Sequence, residues 1–367
     1  MKRRRGASNA RSARWKVFGG RRVHGQRYDA FIMRAAHFIG DGKITVSEKP
    51  NPEPGPGQLV IRVGANALCG SERGQFMRGA SVTAGHEAAG TVVGAGAGTV
   101  TPIGARGVVF LMVFCGTCRS CKLGLTNQCL NKRGDMGFNR DGGYSELEVV
   151  EESTFFRTPD DIDATSATLL LDIMGTGGHA IARGVSVHPD VTSLLVTGAG
   201  PIGLGVLAMA KIILGETVPV FVTDVVPYRL ALAERLGGRP INVADEAPAD
   251  ALIRDGRVAV DLAIDTTGKS TARQSALDAL DKRGVLVCVG HGEDVRLDVS
   301  RQLIAPERAV LGSEYFRFDE LPANLARLQL HRAYLDQIIT HRLPLNEIQH
   351  GFEIFFAGDT GKVVIEP

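Results

Sequence analysis

The stretch Leu194-Leu195-Val196-Thr197-Gly198-Ala199-Gly200-Pro201-Ile202-Gly203 runs an apolar strand straight into a G-x-G-x-x-G turn. Such a turn needs Gly198 for a tight backbone reversal, Gly200 so that a pyrophosphate can approach the backbone, and Gly203 for close packing of helix on sheet. The following helix, opening at Pro201 and Ile202, points its first N–H groups at the phosphates. Glycines alone say little here, because 45 of the 367 residues are Gly. Context strengthens the reading: apolar Ile202, Val206, Ala210 and Ile213 recur at helical spacing, and a second apolar strand over 218–223 runs into Asp224. An acid about 20 residues past the turn is where a dinucleotide-binding unit holds the adenosine ribose hydroxyls. With a carboxylate there and no basic residue directly after it, a 2′-phosphate is repelled, so the expected cofactor is NAD and not NADP.

Strand and helix patterns alternate over 194–312, which predicts a parallel sheet covered on both faces. The segment from Met33 to about residue 160 reads differently, as short strands with Pro and Gly punctuation in an irregular, mostly β domain. Asp163 is placed to cap a helix beginning near Ala164. The tail predicts helices near 321–330 and 346–356 and a last strand over 362–365. A length of 367 residues suits two domains, and a net charge of +2 with 22% charged residues describes a globular protein with no bias toward polyanions. No apolar run has the length of a membrane span.

Residues 1–32 carry ten Lys and Arg against the single acid Asp29. An organelle-targeting or nucleic-acid-binding arm, a solvated tail, and upstream sequence ahead of a true start at Met33 all fit this composition; the absence of transit-helix periodicity and of an apolar h-region favours the last.

Five of the six cysteines fall between Cys69 and Cys129, with spacings that suit metal better than disulfides and favour a reducing compartment. Cys288 lies in an apolar strand and reads as small-residue packing. Cys115-x-x-Cys118-x-x-Cys121 followed by Cys129 can close a tetrahedron around Zn²⁺ with no position left for substrate, so this site is expected to be structural. Disulfides between thiols so close in sequence would be strained, and an iron–sulfur cluster is the other rival. A looser set comprises Cys69, His86 and Asp172, the last inside an otherwise apolar helix pattern. One Cys, one His and one carboxylate leave a fourth position open, as catalytic zinc requires. Taken singly, each also reads as an ordinary core or surface residue.

The order Cys69-Gly70-Ser71, Gly85-His86-Glu87, four-cysteine lobe, acid-bearing helix, G-x-G-x-x-G turn and Asp224 resembles the zinc-dependent medium-chain dehydrogenases from Met33 to Pro367. The resemblance implies an α/β protein in two parts. A GroES-like, partly open β-barrel catalytic domain is formed by 33–175 and 313–367, and a Rossmann domain by 176–312. It further implies two Zn²⁺ per chain and NAD, with Cys69, His86 and Asp172 as catalytic zinc ligands and Glu87 as an acid able to exchange at the metal. Ser71 then relays the proton, Arg229 helps hold the adenosine end, and Lys362 contacts the pyrophosphate. The chemistry implied is zinc-assisted oxidation of an alcohol with hydride transfer to the nicotinamide.

The segment 172–177 resembles secondary-alcohol dehydrogenases, and Gly70-Ser71 with the lobe resembles the polyol branch. The expected substrate is therefore a polyol, sugar or cyclitol, with L-threonine or a simple secondary alcohol as alternatives. A nucleic-acid-associated zinc protein with a dinucleotide-sensing domain is the reading from another class, although no nucleic-acid or membrane partner is expected. The family also implies a cytoplasmic homo-oligomer, dimer or tetramer. Three departures stand out. Gly74 occupies the place of a relay histidine and leaves the exit from Ser71 open, Gly104-Ala105-Arg106-Gly107 replaces the usual Gly-Asp-Arg-Val, and the 69–86 segment is short.

Overall fold

The computed structural model describes residues 32–367. The basic segment over 1–32 lies outside the described residues except for Ile32, which opens the first strand.

The apolar runs of the central region form six parallel strands: β8 (Leu194–Thr197), β9 (Val220–Asp224), β10 (Arg239–Asn242), β11 (Val260–Asp265), β12 (Leu280–Cys288) and β13 (Ala309–Gly312). Their spatial order is β10-β9-β8-β11-β12-β13. Chain order therefore reverses between β8 and β11, and a crevice opens at the carboxyl ends of the strands, where such sheets take their ligands. The short strands β10 and β13 are additions to the sequence reading. Each has four residues, with one buried residue in β10 and none in β13, too short a run for periodicity to register.

The other domain is a mixed sheet. Its strands are β3 (Gln58–Ala67), β4 (Ala88–Ala95), β5 (Arg106–Val109), β6 (Leu147–Glu151), β7 (Phe155–Arg157), β14 (Ile339–Pro344) and β15 (Lys362–Glu366). The order is β14-β15-β3-β4-β5-β7, with β6 on β3. The C-terminal strands thus close onto a sheet begun some 300 residues earlier in the chain. A hairpin of β1 (Ile32–Gly40) and β2 (Lys43–Pro50) stands beside it.

Asp163 caps the helix Ala164–Thr168 by accepting from Ser166 N at 2.9 Å. The expected regular helix around Asp172 is corrected. Asp172–Thr176 winds as a wide π-turn before the helix Gly177–Val185 begins. Its glycines explain the departure. A Cβ on Gly175 would lie 2.4 Å from the Phe316 ring, and one on Gly177 would lie 2.9 Å from the Gly205 backbone. The turn is pressed between an aromatic ring and the helix Pro201–Ile213. Such turns recur at functional sites because they re-aim a side chain without ending the helix. Ile173 and Met174 also belong to the largest core cluster, which runs from Phe110 through Leu169–Leu171 to Val196 and Val206, so the turn sits at the joint between the domains.

Two candidate metal centres and a cofactor cleft

β3 delivers Cys69 just past its end, the approach to β4 delivers His86 and Glu87, and the π-turn delivers Asp172. One ligand atom from each of these four buried residues lies within 4.8 Å of the others. His86 Nε2 is 3.7 Å from Asp172 Oδ2. The charges are unbalanced in a manner that suits a cation. Burial pushes the Cys69 thiol up, and the Asp172 charge pushes it further. Burial likewise raises Glu87, again helped by Asp172 and in spite of Lys362. Against burial, the His86 ring holds Asp172 below the usual carboxylate range. One Glu87 oxygen is buried with no hydrogen-bond partner. Sulfur, nitrogen and carboxylate donors packed at this spacing out of water match zinc, and the residues fit the group.

Sequence reasoning missed Glu72. Its buried carboxylate accepts from Cys69 N at 3.1 Å and Tyr144 OH at 2.7 Å, and lies 3.1 Å from His86 Nδ1. It therefore orients two ligands at once. The only signal in the sequence was an acid three residues beyond the ligand cysteine. Ser71 is exposed, and its hydroxyl donates to Cys69 Sγ at 3.2 Å. Beside Gly74 stands the Arg78 side chain, whose guanidinium would lie 2.6 Å from a Cβ at that position.

In the lobe, the Cys115 and Cys121 sulfurs are 4.0 Å apart and those of Cys118 and Cys129 are 3.9 Å apart. A Zn–S bond of about 2.3 Å puts tetrahedral sulfurs about 3.8 Å apart, so the four thiols fit a closed zinc site. Backbone N–H groups already favour the anion. Those of Thr117 and Cys118, with the Thr117 hydroxyl, lower Cys115 to about 5.

At the glycine turn, Gly198 has φ +90°, a backbone region open to glycine. A Cβ on Gly203 would lie 1.8 Å from Gly198 O, whereas Gly200 faces open space. The three glycines thus differ in what surrounds them: a positive φ at Gly198, open space at Gly200 and backbone contact at Gly203. Pro201 opens the helix at its first position, with half-buried Ile202 next to it. The Asp224 carboxylate accepts from Ala199 N at 2.8 Å through Oδ2 and from Val225 N at 2.7 Å and Val226 N at 3.0 Å through Oδ1, which leaves one lone pair, on Oδ2, for a ribose hydroxyl.

The two basic residues expected at the cofactor have partners within the protein. Lys362 is fully buried and bonded to Glu87, so its amine supports the metal cluster and is enclosed away from a solvent-facing pyrophosphate. Arg229 donates to Phe355 O at 3.2 Å, linking the cofactor domain to the helix Ile348–Ala357 of the catalytic domain.

Family models agree with this geometry: residues 55–160 match the alcohol dehydrogenase GroES-like domain and residues 201–329 the zinc-binding dehydrogenase domain. The L-threonine 3-dehydrogenase of Shewanella pealeana is 32% identical over 336 residues, covering 88% of this chain and 96% of that protein. The chain belongs to the zinc-dependent medium-chain dehydrogenases. An enzyme of the same name from Cronobacter sakazakii is also 32% identical, with the same coverage. Among solved structures, an alcohol dehydrogenase from Thermus sp. ATN1 superposes with a TM-score of 0.82 at 25% identity, covering 91% of this chain and 99% of that one. A zinc-binding dehydrogenase from Sinorhizobium meliloti bound to NADP gives 0.79 at 25% identity, covering 92% and 99%. An oxidoreductase built on zinc and a nicotinamide cofactor is thereby established as the class. Among the described residues, no helix is long and apolar enough to cross a membrane.

Proposed function

We propose that this chain is an NAD-dependent dehydrogenase, with two zinc ions per chain, that oxidises a secondary hydroxyl of a polyol, sugar or cyclitol to the ketone. The observation that carries the reading is the convergence of Cys69, His86, Glu87 and Asp172 beside the exposed Ser71 hydroxyl. In the reaction R₂CHOH and NAD⁺ give R₂C=O, NADH and H⁺. Zinc, when bound, supplies the Lewis acidity that makes the alcohol proton labile near neutral pH.

The chain's own groups do the rest. Cys69, His86 and Asp172 are the ligands, and Glu72 fixes the imidazole so that Nε2 faces them. Ser71 stands between the site and solvent, where a neutral hydroxyl passes the proton outward without adding charge. Gly198, Gly200 and Gly203 shape the turn that receives the pyrophosphate, and Asp224 favours an unphosphorylated ribose. The thiols, none of them in a disulfide, suit a reducing compartment such as the cytoplasm.

A second substrate, L-threonine, is favoured by the names of the curated relatives at 32% identity. It too is a secondary alcohol with polar neighbours. Metal analysis of purified protein, with NADH formation measured across polyols, sugars, cyclitols and L-threonine, tests both. Turnover of one class selects the substrate. Absence of NADH formation across the panel, with one zinc and salt-sensitive DNA binding, would overturn the enzymatic reading.

A further inference from the structure

The loops that follow β11 and β12 meet at the carboxyl edge of the sheet, and they meet backbone to backbone. A Cβ on Gly268 would lie 2.1 Å from His291 O, one on Gly290 would lie 2.3 Å from Gly268 N, and one on Gly292 would lie 2.4 Å from Gly268 O. No side chain can wedge between these loops, so apolar packing cannot fix their relative positions.

A buried ion pair takes over that task. Asp265, the last residue of β11, has no exposed surface. Its carboxylate accepts from Thr197 Oγ1 at 2.8 Å, Thr267 N at 3.0 Å, Thr267 Oγ1 at 2.6 Å, Gly268 N at 3.1 Å and Arg273 Nε at 3.0 Å. Arg273, on the helix Ser270–Asp278, donates its remaining two nitrogens to the carbonyls of Gly290 and Glu293. Thr266 completes the tie by donating to Thr197 O at 2.8 Å, beside Gly198. Burying a charged pair is costly unless both partners are fully hydrogen-bonded, and this pair has a bond at every charged atom.

The direction of a bound dinucleotide follows from the topology. Pyrophosphate at the glycine turn lies over β8, and Asp224 draws the adenosine ribose toward β9. The other half must then extend across β11 and β12, over the loop at Val289–Gly292. The outer face of that loop, with Arg273 and Ser313, lines a cavity of about 650 Å³.

We infer that the Asp265–Arg273 pair is the positioning element for the nicotinamide half of the cofactor. It fixes the distance between the phosphate-binding turn and the loop on which the ring must land, and Arg273 acts through the Gly290 and Glu293 carbonyls. The inference rests on the nicotinamide reading proposed above.

The test is calorimetric titration of the zinc-loaded full chain with NADH and with ADP-ribose, which lacks the nicotinamide. Arg273→Met, which removes all three Arg273 hydrogen bonds, should weaken NADH by about tenfold or more and leave ADP-ribose unchanged. Arg273→Lys keeps the charge beside Asp265 while releasing a carbonyl, and should show the same split to a smaller degree; it carries the test if the Met variant does not fold. Equal weakening of both ligands means a general structural role and overturns the proposal, as does unchanged NADH affinity. If wild-type protein binds ADP-ribose but not NADH, the nicotinamide reading itself fails, and this inference with it.

Discussion

Glu72 Oε1 lies 3.1 Å from His86 Nδ1, and the same carboxylate's other oxygen takes the Cys69 N–H and the Tyr144 hydroxyl. One buried acid therefore sets the ring nitrogen of one ligand and the backbone of another. Partners of this kind typically contribute 10–100-fold to metal affinity or activity. Glu72→Gln, which keeps a carbonyl acceptor but loses the charge, is expected to lower zinc retention at the catalytic site about tenfold or more. Dialysis against a graded chelator, followed by metal analysis, measures this. Wild-type retention would mean that the imidazole is oriented by its packing against Phe138, 5.0 Å away between ring centroids.

The two cysteine sets should separate in behaviour. Cys69→Ser is expected to leave one zinc per chain, abolish turnover and preserve the melting temperature, because β3 and the Glu72 contacts remain. Cys121→Ser should also leave one zinc per chain. Here stability falls, by on the order of 2 kcal/mol or more, because the loop over 115–129 has few buried apolar side chains to hold it without metal. Thermal melts with metal analysis on both variants decide this. A Cys121→Ser protein as stable as wild type would remove the structural role.

Glu148 lies buried in β6 with both carboxylate oxygens unpartnered, and burial, then the Asp141 charge, raises it well above the usual range. Such a group releases its proton from the unfolded chain first. Stability is therefore unaffected below the unfolded value near 4.5, falls as pH rises from there to the folded value, and is flat above it. Glu148→Gln is expected to melt higher than wild type by a margin that is absent at pH 4 and grows through that window, reaching about 1 kcal/mol or more. A margin independent of pH would show that the carboxylate carries no net cost.

Legibility in the sequence followed the distance along the chain. The four-cysteine lobe and the glycine turn could be read because each closes within one local segment, so residue spacing stands for geometry. Cys69, His86 and Asp172 are separated by up to about 100 residues, and only the order of motifs joined them. The partners of Lys362 and Arg229 were hidden for a related reason: a long cation near a cleft can turn inward or outward. Lys362 turned inward because Glu87 lay unpaired in the core, and Arg229 reached the Phe355 carbonyl on the other domain. The π-turn at Asp172 was invisible because its cause, Phe316 pressing on Gly175, lies more than 100 residues further along the chain.

Asp224 offers the sharpest test of cofactor choice. Its carboxylate is held by three N–H groups, so it cannot easily swing away from a ribose placed above Ala199. A 2′-phosphate there would meet it at close range. Two unit charges about 4 Å apart repel by roughly 4 kcal/mol at an effective dielectric of 20, and less at this half-exposed position. Even a third of that repulsion gives about tenfold discrimination. Wild-type protein is expected to prefer NAD over NADP by at least about tenfold in kcat/KM, and Asp224→Ser, which keeps an acceptor for one of the N–H groups, should bring the ratio close to one. Initial rates with both cofactors on one substrate measure it. Equal use of NAD and NADP by the wild type would assign the Asp224 carboxylate to bracing the turn through Ala199 and leave cofactor choice to other residues.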